Sequence, residues 1–232
     1  PNQLRPPHVE LRPLLRADGS ARFKFGNSSV LAAVFGPREP RSRAREVFDR
    51  ATLDVVVRPR TGIPGPAPSP ISGTFGHLQA ERQLEAYLAR QLDHVIVHTD
   101  YPRTQISVVV QIACSDGATA AAAGNAAFLA LLDAGVAMRA TALSVSVAVR
   151  SGTTPILLLD PTEVEETGCD ALITVAVDGS RGQMVSCISG GIPLDAPTWA
   201  SCLEAATKSC KVLEAFIRMS LQKRLETFLK PG

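Results

Sequence analysis

YPRTQISVVVQIACSDGATAAAAGNAAFLALLDAGVAMRA, residues 101–140, is the stretch on which the architecture turns. Residues 105–113 (QISVVVQIA) are β-branched and apolar on both faces, the pattern of a strand in the interior of a sheet. Asp116-Gly117 follows and opens an Ala-rich helix that runs to about Ala134 and closes at Gly135. The most apolar part, residues 120–137, is interrupted by Asn125 and Asp133 and is rich in Ala and Gly rather than Leu. That composition predicts a buried helix of a folded core and not a membrane span.

Outward from this unit the chain alternates in type. Residues 21–25 and 30–35 read as strands joined through Gly26-Asn27-Ser28, a hairpin. Residues 51–58 (ATLDVVVR) form a further strand that stops at Pro59. The Pro- and Gly-rich stretch 61–77 is a long loop, and loops of such length in a compact domain are functional or disordered. Apolar residues at Leu84, Tyr87, Leu88, Leu92 and Val95 give residues 78–96 a helical stripe. Residues 141–150, 155–160, 171–177 and 183–188 are four more strands, the last two a hairpin through Asp178-Gly179. A C-terminal helix covers about 197–229. The order predicts an α/β (α+β) fold, a mixed β-sheet with packed helices, in one domain over 1–232.

Composition narrows the function classes. The chain has 232 residues, 45% hydrophobic, enough to bury a core. Its net charge of +2 hides an asymmetry: residues 1–60 hold 12 Lys/Arg and 6 Asp/Glu, a net of +6, and the remainder carries −4. Such a split suggests a polyanion contact on one face. The five cysteines lack any C-x-x-C pair, which points to a reducing compartment and away from a disulfide framework. PNQLRPPHVELRPLL carries no apolar core with a cleavage site, so no secretory signal is expected.

Few patterns carry chemistry. His94 and His98 stand at i,i+4 spacing, but no Glu lies between them in H-E-x-x-H fashion. The acidic run Glu163, Glu165, Glu166 and Asp170 has the hard oxygen donors that Mg²⁺ prefers, and solvated acidic loops look the same. The segment Asp116-Gly117-Ala118-Thr119 leads from a strand into a helix N-terminus, where free N–H groups and the helix dipole favour an anion. An ordinary Asp N-cap fits that spacing equally well.

DGSARFKFGNSSVLAAVFGPRE, ATLDVVVRPRTGIPG, the 101–140 stretch and ILLLDPTEVEE, in this order, resemble the RNase PH family. These are phosphate-dependent 3′→5′ exoribonucleases built as six-membered rings, and the likeness is to the family's non-catalytic exosome ring subunits. In active members the motif Asp-Gly-Gly-Thr-Arg supplies a Thr and an Arg that bind the attacking phosphate. The corresponding residues here are Asp116-Gly117-Ala118-Thr119-Ala120, so the Thr is kept and the Arg is lost. A second phosphate-binding Arg falls at about Ala80, with Arg82 close by. Of two metal-holding aspartates six residues apart, the second matches Asp170 and the first falls on Val164.

The resemblance implies a scaffold that lines an RNA path. Its partners are other RNase PH-like exosome subunits in a six-membered ring, cap RNA-binding proteins, a hydrolytic nuclease and single-stranded RNA. No cofactor is expected, and the location implied is nucleus and nucleolus, also cytoplasm. The basic third then has an assignment: Arg58 and Arg60 on a loop facing the channel, with Arg41, Arg43 and Arg45 on a neighbouring loop, gripping phosphates without reading sequence. Two alternatives stand beside it. One is an active exoribonuclease using Arg82, Thr119 and Asp170 with Mg²⁺ and inorganic phosphate; the other is a free-standing nucleic-acid-binding module.

Overall fold

The computed structural model describes residues 3–40, 46–58, 77–151 and 155–229. Nine strands and four helices follow one another as β1 (Pro7–Leu11), β2 (Gly19–Phe25), β3 (Ser28–Arg38), β4 (Thr52–Arg58), α1 (His77–Val95), β5 (Gln105–Cys114), α2 (Thr119–Asp133), β6 (Ala142–Arg150), β7 (Ile156–Leu159), α3 (Glu163–Thr167), β8 (Ala171–Asp178), β9 (Met184–Gly191) and α4 (Ala196–Leu229) among the described residues. The expected α/β class holds, with the strands divided between two sheets. One has the order β1-β2-β3-β5-β4, the other β7-β6-β8-β9. The first is mixed, because β4 runs parallel to β5 while the other pairs are antiparallel. The second is antiparallel throughout.

Two elements escape the periodicity analysis. Strand β1 is five residues long and starts at a proline, and it lies on the sheet edge, where a missing N–H costs no ladder bond. Helix α3 occupies the segment expected to be an acidic loop. Its Thr162-x-x-Glu165 capping box is complete: the Thr162 hydroxyl accepts from Glu165 N–H, and the Glu165 carboxylate accepts from Thr162 N–H at 2.8 Å.

Helix α2 is the centre of the molecule. All eleven residues from Ala121 to Leu131 are buried, as a helix apolar on every side requires. It packs on β2 and β3 of one sheet and on β6 and β8 of the other. Its alanines permit this close sandwich, and so does Gly19 of β2, where a Cβ would lie 2.4 Å from the Ala130 carbonyl oxygen. The core is a single cluster drawn from both sheets, including Phe23, Phe25, Phe128, Leu88, Ile106 and Ile173.

Polar groups inside that core are matched. Strand β7 pairs with β6 only from Val147 to Arg150, which leaves the first half of β6 without a strand neighbour on that side. Side-chain amides of the helices take its place. Asn125 accepts from Ser144 N–H at 2.8 Å and donates to Ser144 C=O at 2.9 Å, and Gln91 donates to Ala142 C=O at 2.9 Å. Tyr87 closes the network by donating to the Ser144 hydroxyl at 2.9 Å.

Candidate functional site

The junction between β5 and α2 turns through two left-handed residues, Gly117 at φ +75° and Ala118 at φ +50°. Ala118 is the N-cap and makes no side-chain cap, so Asp116 does not cap the helix. The Asp116 carboxylate instead accepts from the Asn27 amide at 3.1 Å. Ser28 at the start of β3 fastens the same turn: its hydroxyl accepts from Asp116 N–H at 2.9 Å and donates to Gly117 C=O at 2.7 Å. The Thr119 hydroxyl lies 2.7 Å from that of Ser115.

Arg5 binds this turn from beneath. Its Nε and Nη2 grip the two carboxylate oxygens of Asp160, each at 2.8 Å, a bidentate pair. Nη1 donates to Asp116 C=O at 2.7 Å, while Nη2 also reaches Gly117 C=O at 3.5 Å and Pro161 C=O at 3.4 Å. The Arg5 backbone N–H adds a bond to Asp160 at 3.1 Å. One guanidinium thus ties the N-terminal segment to the α2 turn and to the loop between β7 and α3. Asp160 itself sits at φ +51° with its side chain 1% exposed.

Glu166, from α3, completes the arrangement. Its Oε1 accepts from Ala118 N–H at 2.7 Å, on the amino end of α2. Burial pushes its carboxyl up to about 7 from 4.5; the Ala118 N–H and Arg5 pull against this, and Glu163 and Asp160 add to the rise. The folded state therefore holds the Glu166 proton more tightly than the unfolded chain does. The stability this contributes is full below pH 4.5 and is lost as pH rises through about 7. Unfolding free energies of the wild type should fall relative to Glu166→Gln across that window; a constant difference would refute the assignment.

The 3′ exoribonuclease family matches in both its parts, domain 1 over residues 3–137 and domain 2 over residues 141–209. The chain belongs to the RNase PH family. An exosome complex exonuclease RRP46 homolog of rice (Oryza sativa) is 29% identical over 240 residues, which cover 97% of this chain and 94% of the relative. The bovine exosome complex component RRP41 is 33% identical, over 95% and 89% of the two chains. The crystal structure of rice Rrp46 superposes with a TM-score of 0.79 at 30% identity, over 95% of this chain and 97% of that one.

Within this RNase PH chain the remaining candidate residues lie apart. Asp170 is exposed at the start of β8 and accepts from Ser151 N–H at 2.6 Å. Glu165 turns back onto Thr162, and Glu166 faces α2. The acidic run does not converge, because α3 points its carboxylates in different directions. Among the described residues no group of three His, Cys, Asp or Glu side chains is arranged to hold a metal. Arg82 is exposed on α1. The two histidines are spent separately, His94 3.7 Å from Asp178 and His98 3.2 Å from the Ala51 carbonyl oxygen.

Of the basic residues expected on RNA, Arg41, Arg43, Arg45 and Arg60 lie outside the described residues, as do residues 61–76 of the long loop. Arg58 is exposed at the end of β4, its Nη1 donating to Val57 C=O at 3.0 Å. Arg38, before residues 41–45, pairs with Gln105, and Arg58 pairs with Gln111. Six residues of strand separate those positions, about 20 Å.

Sequence inspection missed Arg5 and Asp160, and it set Glu166 in an acidic run suited to Mg²⁺ rather than on the Ala118 N–H. The capping box Thr162-x-x-Glu165 is the one readable signal, since it marks α3 and so the direction of Glu166. Arg5 meets Asp116 across 111 positions and Asp160 across 155, which no local pattern carries.

Proposed function

We propose that this chain is a non-catalytic ring subunit of an RNA exosome, a scaffold beside other RNase PH-like subunits on the path of single-stranded RNA. The observation that carries it is at the β5–α2 junction, where the phosphate-binding Arg is replaced by Ala120 and the Ala118 N–H is taken by Glu166. Phosphorolysis brings a phosphate dianion beside a phosphodiester, and fixed cations must offset the repulsion. Loss of one such group costs roughly 10²–10³ in rate. Arg5, the cation nearest this turn, is occupied by Asp160 and three carbonyl oxygens.

Full-length similarity to exosome components of rice and cattle supports the ring assignment. RNA contact at Arg58 and Arg60, cap proteins, a hydrolytic nuclease, and a nuclear, nucleolar and cytoplasmic location belong to the same proposal. The purified chain given single-stranded RNA, Mg²⁺ and phosphate should release no nucleoside diphosphate, yet should enter the ring when mixed with its sister subunits. Release of diphosphates that Asp170→Asn abolishes would establish the active alternative. The name exonuclease carried by the rice relative makes this assay decisive.

A further inference from the structure

The amino end of α2 already has an acceptor, the Glu166 carboxyl, supplied by the chain itself. We infer that Glu166 is a built-in occupant of this position, an autoinhibitory contact that shuts inorganic phosphate out of the β5–α2 junction. The inference rests on the non-catalytic reading above and gives it a mechanism separate from the missing arginine.

Three observations support it. Ala118 N–H, the N-cap amide of a fifteen-residue helix, donates to Glu166 Oε1 at 2.7 Å. The approach beside it is closed as well. A Cβ on Gly117 would stand 2.3 Å from Pro161 O and 2.8 Å from Glu163 N, so the two segments touch backbone to backbone. Between Gly117 and Pro161–Glu163 there is no space for even a methyl group.

The third observation is electrostatic. Arg5 is the cation at this junction, and its donors go to Asp160, Asp116 C=O, Gly117 C=O and Pro161 C=O. Around it stand the carboxylates of Asp160, Glu166 and Asp116, with Glu163 acting on Glu166. The Arg5 charge is balanced locally by Asp160 and Asp116, which leaves little to attract a dianion. Glu166 is held in place by the first turn of α3, where its N–H donates to Thr162 C=O at 2.8 Å.

Phosphate titration of the ¹⁵N-labelled full chain, against chloride at matched ionic strength, tests the inference. In the wild type the Ala118 and Thr119 amide resonances should not move in millimolar phosphate. In Glu166→Ala the amide is vacated, the resonances should shift saturably, and phosphate should raise Tm by mass action. Glu166→Gln keeps an acceptor oxygen on the amide and should behave as the wild type. Glu166→Ser replaces the alanine variant should that one fail to fold.

A phosphate-dependent shift at Ala118 in the wild type would overturn the inference. So would a folded Glu166→Ala or Glu166→Ser protein that ignores phosphate, or a glutamine variant that responds as alanine does. Failure of these tests leaves the ring assignment standing. Failure of the chain to enter a ring leaves the occupancy of Ala118 intact.

Discussion

Replacing Arg5 by Met is expected to lower the unfolding free energy by about 3–5 kcal/mol, the cost of stranding one member of a buried ion pair. The side chain of Asp160 is 1% exposed and receives three of the Arg5 bonds. Methionine fills much of the arginine's volume, so the loss reports charge and hydrogen bonding rather than a cavity. Three carbonyls, those of Asp116, Gly117 and Pro161, lose a donor at the same time. The double variant Arg5→Met/Asp160→Leu should recover a large part of the loss, because the orphaned carboxylate goes with its partner. Urea unfolding of both variants and of Asp160→Leu closes the cycle. A loss below about 1 kcal/mol for Arg5→Met would place the pair among ordinary surface salt bridges.

Asn125→Leu comes second. The substitution keeps roughly the side-chain volume and removes the amide that pairs with both Ser144 N–H and Ser144 C=O. Each buried backbone group left without a partner costs about 1–3 kcal/mol, so a total of about 2–6 kcal/mol is expected. Nothing nearby can step in. Strand β7 begins its pairing only at Val147, and the Gln91 amide is engaged with Ala142. Amide hydrogen exchange checks the mechanism: Ser144 should lose protection while Val175, across the ladder on the β8 side, keeps most of its own. Equal loss at both would mean that the whole sheet had loosened.

How much of this was legible depends on distance along the chain. The 105–113 run and the Ala-rich helix after it were readable because each repeats its own period, and both lie where the pattern put them. The hairpin at Gly26 and the four later strands were equally local. The division into two sheets was not, because strand order is set by which faces α2 can cover, and a helix buried all round says nothing of what lies on either side. The site divides in the same way. Ala120 and Val164 stand where the RNase PH motifs carry Arg and Asp, and they are legible as residue types once the family is seen. The contacts of Arg5 with Asp160 and of Glu166 with Ala118 join segments far apart in sequence.

The left-handed turn at Gly117-Ala118 has one more consequence. Active relatives carry glycine at both positions, which suits a backbone with positive φ. This chain keeps the conformation with alanine in the second place, at φ +50° and ψ +29°, where a Cβ is disfavoured by roughly 1–2 kcal/mol. Ser28, Arg5 and Glu166 hold the turn in that shape from three sides. The turn is thus held by its contacts rather than by the preference of its residue. Any residue at 118 is therefore moulded by its surroundings, and the shape of the turn belongs to the three segments that grip it.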